Sequence, residues 1–346
     1  MTIPRKLLVD VHVTRWYHCV SRCVRQAHLC GKGFEHRKTW IEKRLELLAG
    51  QFALAVGGFS IMDNHLHVLV RLDPALSLEW SDEDVVRRWV AVYPPKSLDV
   101  EDDAVVEKWV KHQAKDKKRV EVWRERLQSL GWFMKALKEP LARMANKEDN
   151  CRGAFWDSRY KSIAVLDEES LLATSVYIDL NPVAAGLAET PESSLFTSLR
   201  QRIQHAKSKG KLTEAKEAAK SSVAGSKALG RFEDAHWLCP LDDGQRKGSV
   251  REGMLEGFSL GSYLLLVDYT SRLWREGKCS VSKSLTGIFE RLQTSSEVWD
   301  YRLKKLMSAT KLNGSHFSST RERLDELAKQ KGCHHLDNVV PIKLTG

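Results

Sequence analysis

The spacing of hydrophobic and polar positions changes several times between residues 10 and 200, and each change predicts an element. Thr14–Val20 (TRWYHCV) is dense in β-branched and aromatic residues and predicts a strand. Over Thr39–Phe52, Ile41, Leu45 and Leu48 recur at helical spacing, so this stretch predicts a helix. Leu54–Met62 and His65–Leu72 are apolar runs divided by Asp63 and Asn64, a pair that favours a turn, and together they predict a hairpin. A long, charged, mostly helical stretch follows over Asp82–Lys147, with interruptions expected at Pro94-Pro95 and near Pro140. Phe155–Leu166 predicts a further strand. Asp167, Glu168 and Glu169 suit a helix N-terminus, and Leu171–Asn181 predicts a helix ended by Pro182 and Gly186. Strand, helix, hairpin, helices, strand, helix is the order of an α+β fold, at its simplest a ferredoxin-like antiparallel sheet with helices.

Beyond residue 200 the pattern weakens. Residues 205–230 are mainly Lys, Ala, Ser and Gly, which predicts a basic linker or an exposed basic helix. Tyr263–Trp274, Ser284–Leu292 and Trp299–Leu306 then predict core-forming helices of a second, mainly helical region over 231–346. The organisation expected is therefore a domain over 1–200 with a helical insertion at about 81–147, then a linker, then a helical C-terminal region that is a candidate DNA-binding module. No internal repeat is visible. A length of 346 residues suits about two domains.

Composition narrows the classes. No run approaches the ~18 apolar residues of a membrane span, and the N-terminus lacks the apolar stretch of a signal peptide, so the expectation is a cytoplasmic protein without a membrane partner. Seven cysteines without a CxxC pair fit reduced thiols better than a disulfide frame or a zinc knuckle. The net charge is +10, but residues 1–200 carry 30 Lys+Arg against 28 Asp+Glu, and most of the excess lies in the tail. A cationic surface attracts nucleic acid, though acidic membranes and simple solubility are equally lawful readings of it.

Two constellations carry chemistry. In the second strand of the hairpin, His65 and His67 stand two residues apart and so point to one face, a plausible half of a divalent-metal site; alone, such a pair also fits ordinary hydrogen-bonded histidines. In the predicted helix, Tyr177 and Asn181 are one turn apart on one face. An amide oxygen is a hard metal ligand, and a tyrosine hydroxyl can act as a nucleophile if its charge is stabilised. Tyr in an amphipathic helix and Asn before Pro have bland readings as well, as packing residue and helix terminator.

The two constellations together carry a resemblance. Met62-Asp63-Asn64-His65-Leu66-His67-Val68-Leu69-Val70, followed by Tyr177-Ile178-Asp179-Leu180-Asn181-Pro182-Val183-Ala184-Ala185-Gly186-Leu187, resembles the single-tyrosine (HUH-type) transposases, more narrowly the REP-associated tyrosine transposases and their domesticated relatives. Tyr17-His18-Cys19-Val20-Ser21-Arg22, Phe155-Trp156-Asp157-Ser158-Arg159-Tyr160-Lys161-Ser162 and Ser259–Asp268 agree with it in order. The resemblance implies a ferredoxin-like catalytic domain in which His65, His67 and Asn181 hold a divalent ion, Mg²⁺ or Mn²⁺, and Tyr177 attacks a DNA phosphate. It implies a 5′-phosphotyrosine intermediate, and cleavage and rejoining of single-stranded DNA at hairpin repeats. A homodimer is possible within such a family, as is a domesticated protein that binds repeats without cutting them.

Single strands are held by basic grooves with aromatic platforms. Arg15, Tyr17, Arg22, Arg159, Tyr160 and Lys161 are the candidate DNA contacts, with Trp16 and Trp156 beside them. Core packing is the competing expectation for these aromatics, more so for Trp156 than for Tyr17 or Tyr160. Arg159 and Lys161 would form a basic face with Tyr160 on the other side of the strand, and Tyr160 is the rival nucleophile.

Overall fold

The computed structural model describes residues 9–214, 232–242, 252–276 and 294–311, with residue 289 and the short pieces 316–317, 325–326, 329 and 338–339. It is an α+β protein, as the element order requires. Four strands, β1 (Trp16–Arg22), β2 (Leu54–Ile61), β3 (His65–Leu72) and β4 (Lys161–Val165), lie in the order β2-β3-β1-β4 with every neighbouring pair antiparallel. The two-residue strands β5 (His316–Phe317) and β6 (Asn338–Val339) extend the β4 edge in parallel. β1 and β2 thus run parallel with β3 between them, and β3 and β4 run parallel with β1 between them. Two split βαβ units are interleaved.

Both crossovers cover the same face. Between β1 and β2 runs α1 (Glu35–Gln51); between β3 and β4 run α2 (Pro74–Leu78), α3 (Asp82–Val92), α4 (Asp103–Gln113), α5 (Lys117–Leu127) and α6 (Leu130–Glu148). Their apolar stripes, including Ile41, Leu45, Leu48, Val85, Phe133, Leu137 and Leu141, join Tyr17, Cys19, Leu66, Val68, Val70 and Ala164 from the strands in one core. Arg37 is buried in this layer and ties the start of α1 to the end of α6 through Glu148 and Asp149, while donating to the Leu29 carbonyl. The stretch over 81–147 is therefore part of the principal core through α3 and α6, with its charge carried on exposed sides of α4 and α5. Pro94 and Pro95 do follow the end of α3, but α6 runs through Pro140, and the strand expected from Phe155 starts only at Lys161.

The opposite face carries residues 16, 18, 20 and 22 of β1, 65, 67, 69 and 71 of β3 and 161, 163 and 165 of β4, as the register dictates. It is covered by α7 (Glu168–Ala184), which begins at the Asp167 N-cap and continues past Pro182. Every residue of α7 from Ser170 to Pro182 is buried. A helix buried all round needs a layer on each side. One side is the sheet; on the other lie α8 (Ser198–Ser208), α9 (Leu260–Glu276) and α10 (Ser296–Lys311), which place Leu199, Ile203, Tyr263, Leu266, Val267, Trp299 and Leu303 in the same cluster as Val176 and Leu180. The described C-terminal residues thus share a core with the sheet instead of forming one of their own. Of the expected linker, His205 to Ser208 belong to α8; residues 215–230 and most of Ser284–Leu292 lie outside the described residues.

One acidic side chain ties these layers together. Asp179, 1% exposed, accepts from Ser198 Oγ at 2.6 Å, from the Leu199 backbone N–H at 2.9 Å and from the Tyr263 hydroxyl at 2.5 Å. Burial lifts its carboxyl above the usual carboxylate range despite these donors and the nearby Arg202. Arg202 in turn donates to the Gly57 and Cys239 carbonyls at 2.9 and 2.8 Å and pairs with Glu233 at 3.1 Å. Gly57 sits in a bulge of β2, where a Cβ would come within 2.6 Å of the Trp16 ring. Among the described residues no helix is long and apolar enough to cross a membrane.

Two stability measurements probe this layer. Tyr263→Phe removes one hydrogen bond to a buried carboxyl group and is expected to lower the unfolding free energy by about 1.5–3 kcal/mol in urea; no loss would show that the bond is dispensable. Gly57→Ala forces the bulge against Trp16 and is expected to cost about 1–3 kcal/mol, read as a lower Tm.

Candidate functional site

The geometry of β1 and β3 builds the site at one end of the sheet. His65 is paired with Arg22, and His67 with Val20, so both histidines project from the face under α7. Tyr177 lies on α7 directly above them: its ring meets the His67 ring edge-on at 5.5 Å between centroids, and His65 and His67 are 4.9 Å apart. Asn181, one turn further, hydrogen-bonds His65 through its side chain and donates from Nδ2 to the Tyr177 carbonyl at 3.3 Å. The two constellations, 110 residues apart in the chain, meet within a single subunit.

A third histidine, which no spacing in the sequence singles out, completes the group. His18 is fully buried, stacks on His67 at 5.1 Å and joins its Nε2 to His67 Nδ1 at 2.8 Å. Its ring also meets Tyr177 edge-on at 6.1 Å. The signal was available only through register: His18 is an even number of residues from Arg22, which pairs with His65.

Desolvation sets the protonation of all three rings. Burial alone pushes His18 down to about 3. Burial, and then the charge of Arg22, push His65 down to about 4, against smaller opposing effects of Asn181 and Asp63. His67 falls well below the ordinary value through burial and its neighbours His65, His18 and Arg22. At neutral pH the histidines are therefore uncharged and hold lone pairs. The tautomer of His65 follows from its neighbour. Asn64 donates from Nδ2 to the Gln26 carbonyl at 3.2 Å, which turns its oxygen toward His65 Nδ1 at 2.7 Å; His65 Nδ1 must then carry the proton, leaving Nε2 as the lone-pair nitrogen. His67 Nε2 is buried and has no hydrogen-bond partner.

These features fit a divalent ion: two neutral imidazoles with oriented nitrogens, one of them otherwise orphaned, and an amide beside them. They do not form a complete protein shell. Among the described residues no group of three or more His, Cys, Asp or Glu side chains is placed to hold a metal.

The expected DNA contacts divide. Arg22 lines a cleft of about 330 Å³ with Gln26, Asn64 and His65. Lys161, opposite Val20, is half-buried, and its ammonium is held below its usual range by burial and by the charge of Arg22. Arg159 is exposed just before β4. The structure places the other three away from this cleft. Tyr17 is 1% exposed, exchanges hydrogen bonds with the Asp10 backbone, and burial pushes its hydroxyl up to about 12. Tyr160 is buried in the core on the far face, where it offers neither a stacking surface nor a nucleophile to the histidines. Arg15 lies just before the opposite end of β1, about 23 Å from Arg22 at ~3.3 Å per residue, and is paired with Asp73 and Glu252. Trp156, expected to be the more deeply packed, is half-buried and donates to the Lys138 carbonyl.

No protein-family model, curated protein or solved structure matches the chain. The resemblance to single-tyrosine transposases therefore stands on the motifs alone.

The histidine environment has a measurable consequence. Each ring has a folded-state value below that of the unfolded chain, so the unfolded state binds more protons between about pH 6.5 and 4. Stability contributed by the neutral rings is present above pH 6.5 and is lost on acidification through that window, by about 1.4 kcal/mol per ring per pH unit. Urea unfolding of metal-free protein at pH 7, 6 and 5 should show this decline; a flat profile would refute the neutral cluster.

Proposed function

We propose that the protein is a metal-dependent DNA-nicking and strand-joining enzyme that acts on single-stranded hairpin DNA through Tyr177. The observation that carries the reading is the convergence of Tyr177 and Asn181 on His65 and His67, with the Tyr177 ring 5.5 Å from that of His67. In this reading His65 Nε2, His67 Nε2 and the Asn181 amide would hold Mg²⁺ or Mn²⁺. A bound divalent ion would polarise the scissile phosphate and stabilise the charge that develops on it. Tyr177 gives up its hydroxyl proton to solvent as its oxygen attacks phosphorus, the bond between phosphorus and the 3′-oxygen breaks, and the departing oxygen takes up a proton from solvent to become a free 3′-hydroxyl. The phosphotyrosine retains the bond energy, so attack by another 3′-hydroxyl rejoins a strand without an external energy source. Arg22, Lys161 and Arg159 supply phosphate contacts at the same end of the sheet.

A second reading, repeat binding without cleavage, is favoured by one observation: Tyr177 is only 7% exposed. A labelled hairpin separates the two. A strand labelled at its 3′ end and incubated with protein and Mn²⁺ is expected to form a covalent adduct, seen as a shift on a denaturing gel. Tyr177→Phe and chelation should each abolish it, and His67→Ala should reduce it at least 100-fold. An adduct that survives Tyr177→Phe overturns the assignment of the nucleophile. Tight hairpin binding with no adduct under either metal selects the second reading.

A further inference from the structure

His18 has no role in the chemistry set out above, yet its ring is fully buried against the site. Its contact with His67 restricts the proton between the two rings. In one arrangement His67 Nδ1–H donates to His18 Nε2, and the His67 Nε2 lone pair is free. In the other, His18 Nε2–H donates to His67 Nδ1, and His67 carries its proton on Nε2. The remaining nitrogens, His18 Nδ1 and His67 Nε2, are both buried and unpartnered, so each arrangement strands one donor and one acceptor. Only the first has its stranded lone pair at His67 Nε2, beside His65 and Asn181; the second has it at His18 Nδ1, on the side of the His18 ring that does not bond His67.

We propose that His18 is a positioning residue that accepts the Nδ1 proton of His67 and so presents His67 Nε2 as a ready metal ligand. The inference rests on the metal reading of His65 and His67 given above. It makes the site symmetrical in its construction. Asn64 accepts from His65 Nδ1, and His18 accepts from His67 Nδ1, so each ligand ring is oriented and fixed in its tautomer by one outer partner. The two partners differ in origin: Asn64 comes from the hairpin turn, whereas His18 comes from the central strand β1 and cannot move without the sheet. The stacked geometry of His18 and His67, 5.1 Å and 25° between ring planes, also limits rotation of the His67 ring.

The test uses the full chain and Mn²⁺ alone. Binding of Mn²⁺ measured by electron paramagnetic resonance at fixed pH is expected to weaken roughly 10- to 100-fold in His18→Phe, which fills the space but accepts no proton, and to be largely restored in His18→Gln, whose amide oxygen can accept one. Imidazole ¹⁵N shifts of the unmodified, metal-free protein are expected to show His67 protonated at Nδ1; this measurement needs no variant and stands even if His18→Phe fails to fold. A His67 ring protonated at Nε2, or an unchanged Mn²⁺ Kd in folded His18→Phe, overturns the role of His18 alone. Failure of the unmodified protein to bind Mn²⁺ overturns both this inference and the metal reading beneath it.

Discussion

The buried carboxyl group of Asp179 is the interaction on which the placement of the site depends. It lies between Tyr177 and Asn181 in sequence but faces away from the sheet, toward Ser198, Leu199 and Tyr263. A polar group this deep is tolerable only when its acceptor capacity is used, and three donors from two other helices use it. The same bonds fix the rotation of α7 about its axis. With Asp179 held outward, residues two before and two after it are turned inward, because two residues on a helix are about 200° apart. Tyr177 and Asn181 meet the histidines for this reason.

Topology supplies the other half of the arrangement. Because α1 and α2–α6 all cover one face, the histidine face can be covered only by chain that follows β4, and α7 is the first element available. α7 is apolar on nearly every side, so it needs a second layer as well as the sheet, and the described parts of α8, α9 and α10 provide it. The C-terminal region is thereby coupled to the site through packing and through Tyr263.

Much of this was legible in the sequence because it depended on local spacing. The hairpin strands are observed within a residue of the expected ends, since Asp63-Asn64 breaks two strongly apolar runs. Period two put His65 and His67 on one face, and the one-turn spacing put Tyr177 and Asn181 together. What could not be read depended on register and on long-range packing. His18 joins the site only because β1 pairs with β3 in one particular register. Tyr17 and Tyr160 looked suited to stacking on bases, but the period-two face opposite the histidines is the one sealed by the crossover helices. Pro140 and Pro182 carry the local signal of a helix break, yet tertiary burial carries both helices through them. Asp179 is the lone charge in the otherwise uncharged run Leu171–Asn181, and a charge in such a run needs a partner.

Electrostatics at the site turns on a few groups and not on the overall +10. Three neutral histidines contribute no charge of their own, so the local potential comes from Arg22 and Lys161, which stand close enough for one to depress the ionisation of the other. Burial acts on Lys161 in the same sense as Arg22 does, and more strongly, so the ammonium is held below its usual range by both. The low proton affinity of the histidines has a separate effect: near neutral pH their lone pairs are not taken up by protons. Burial under α7 thus performs two tasks with one packing arrangement: it keeps the nitrogens unprotonated, and it holds the Tyr177 ring against them.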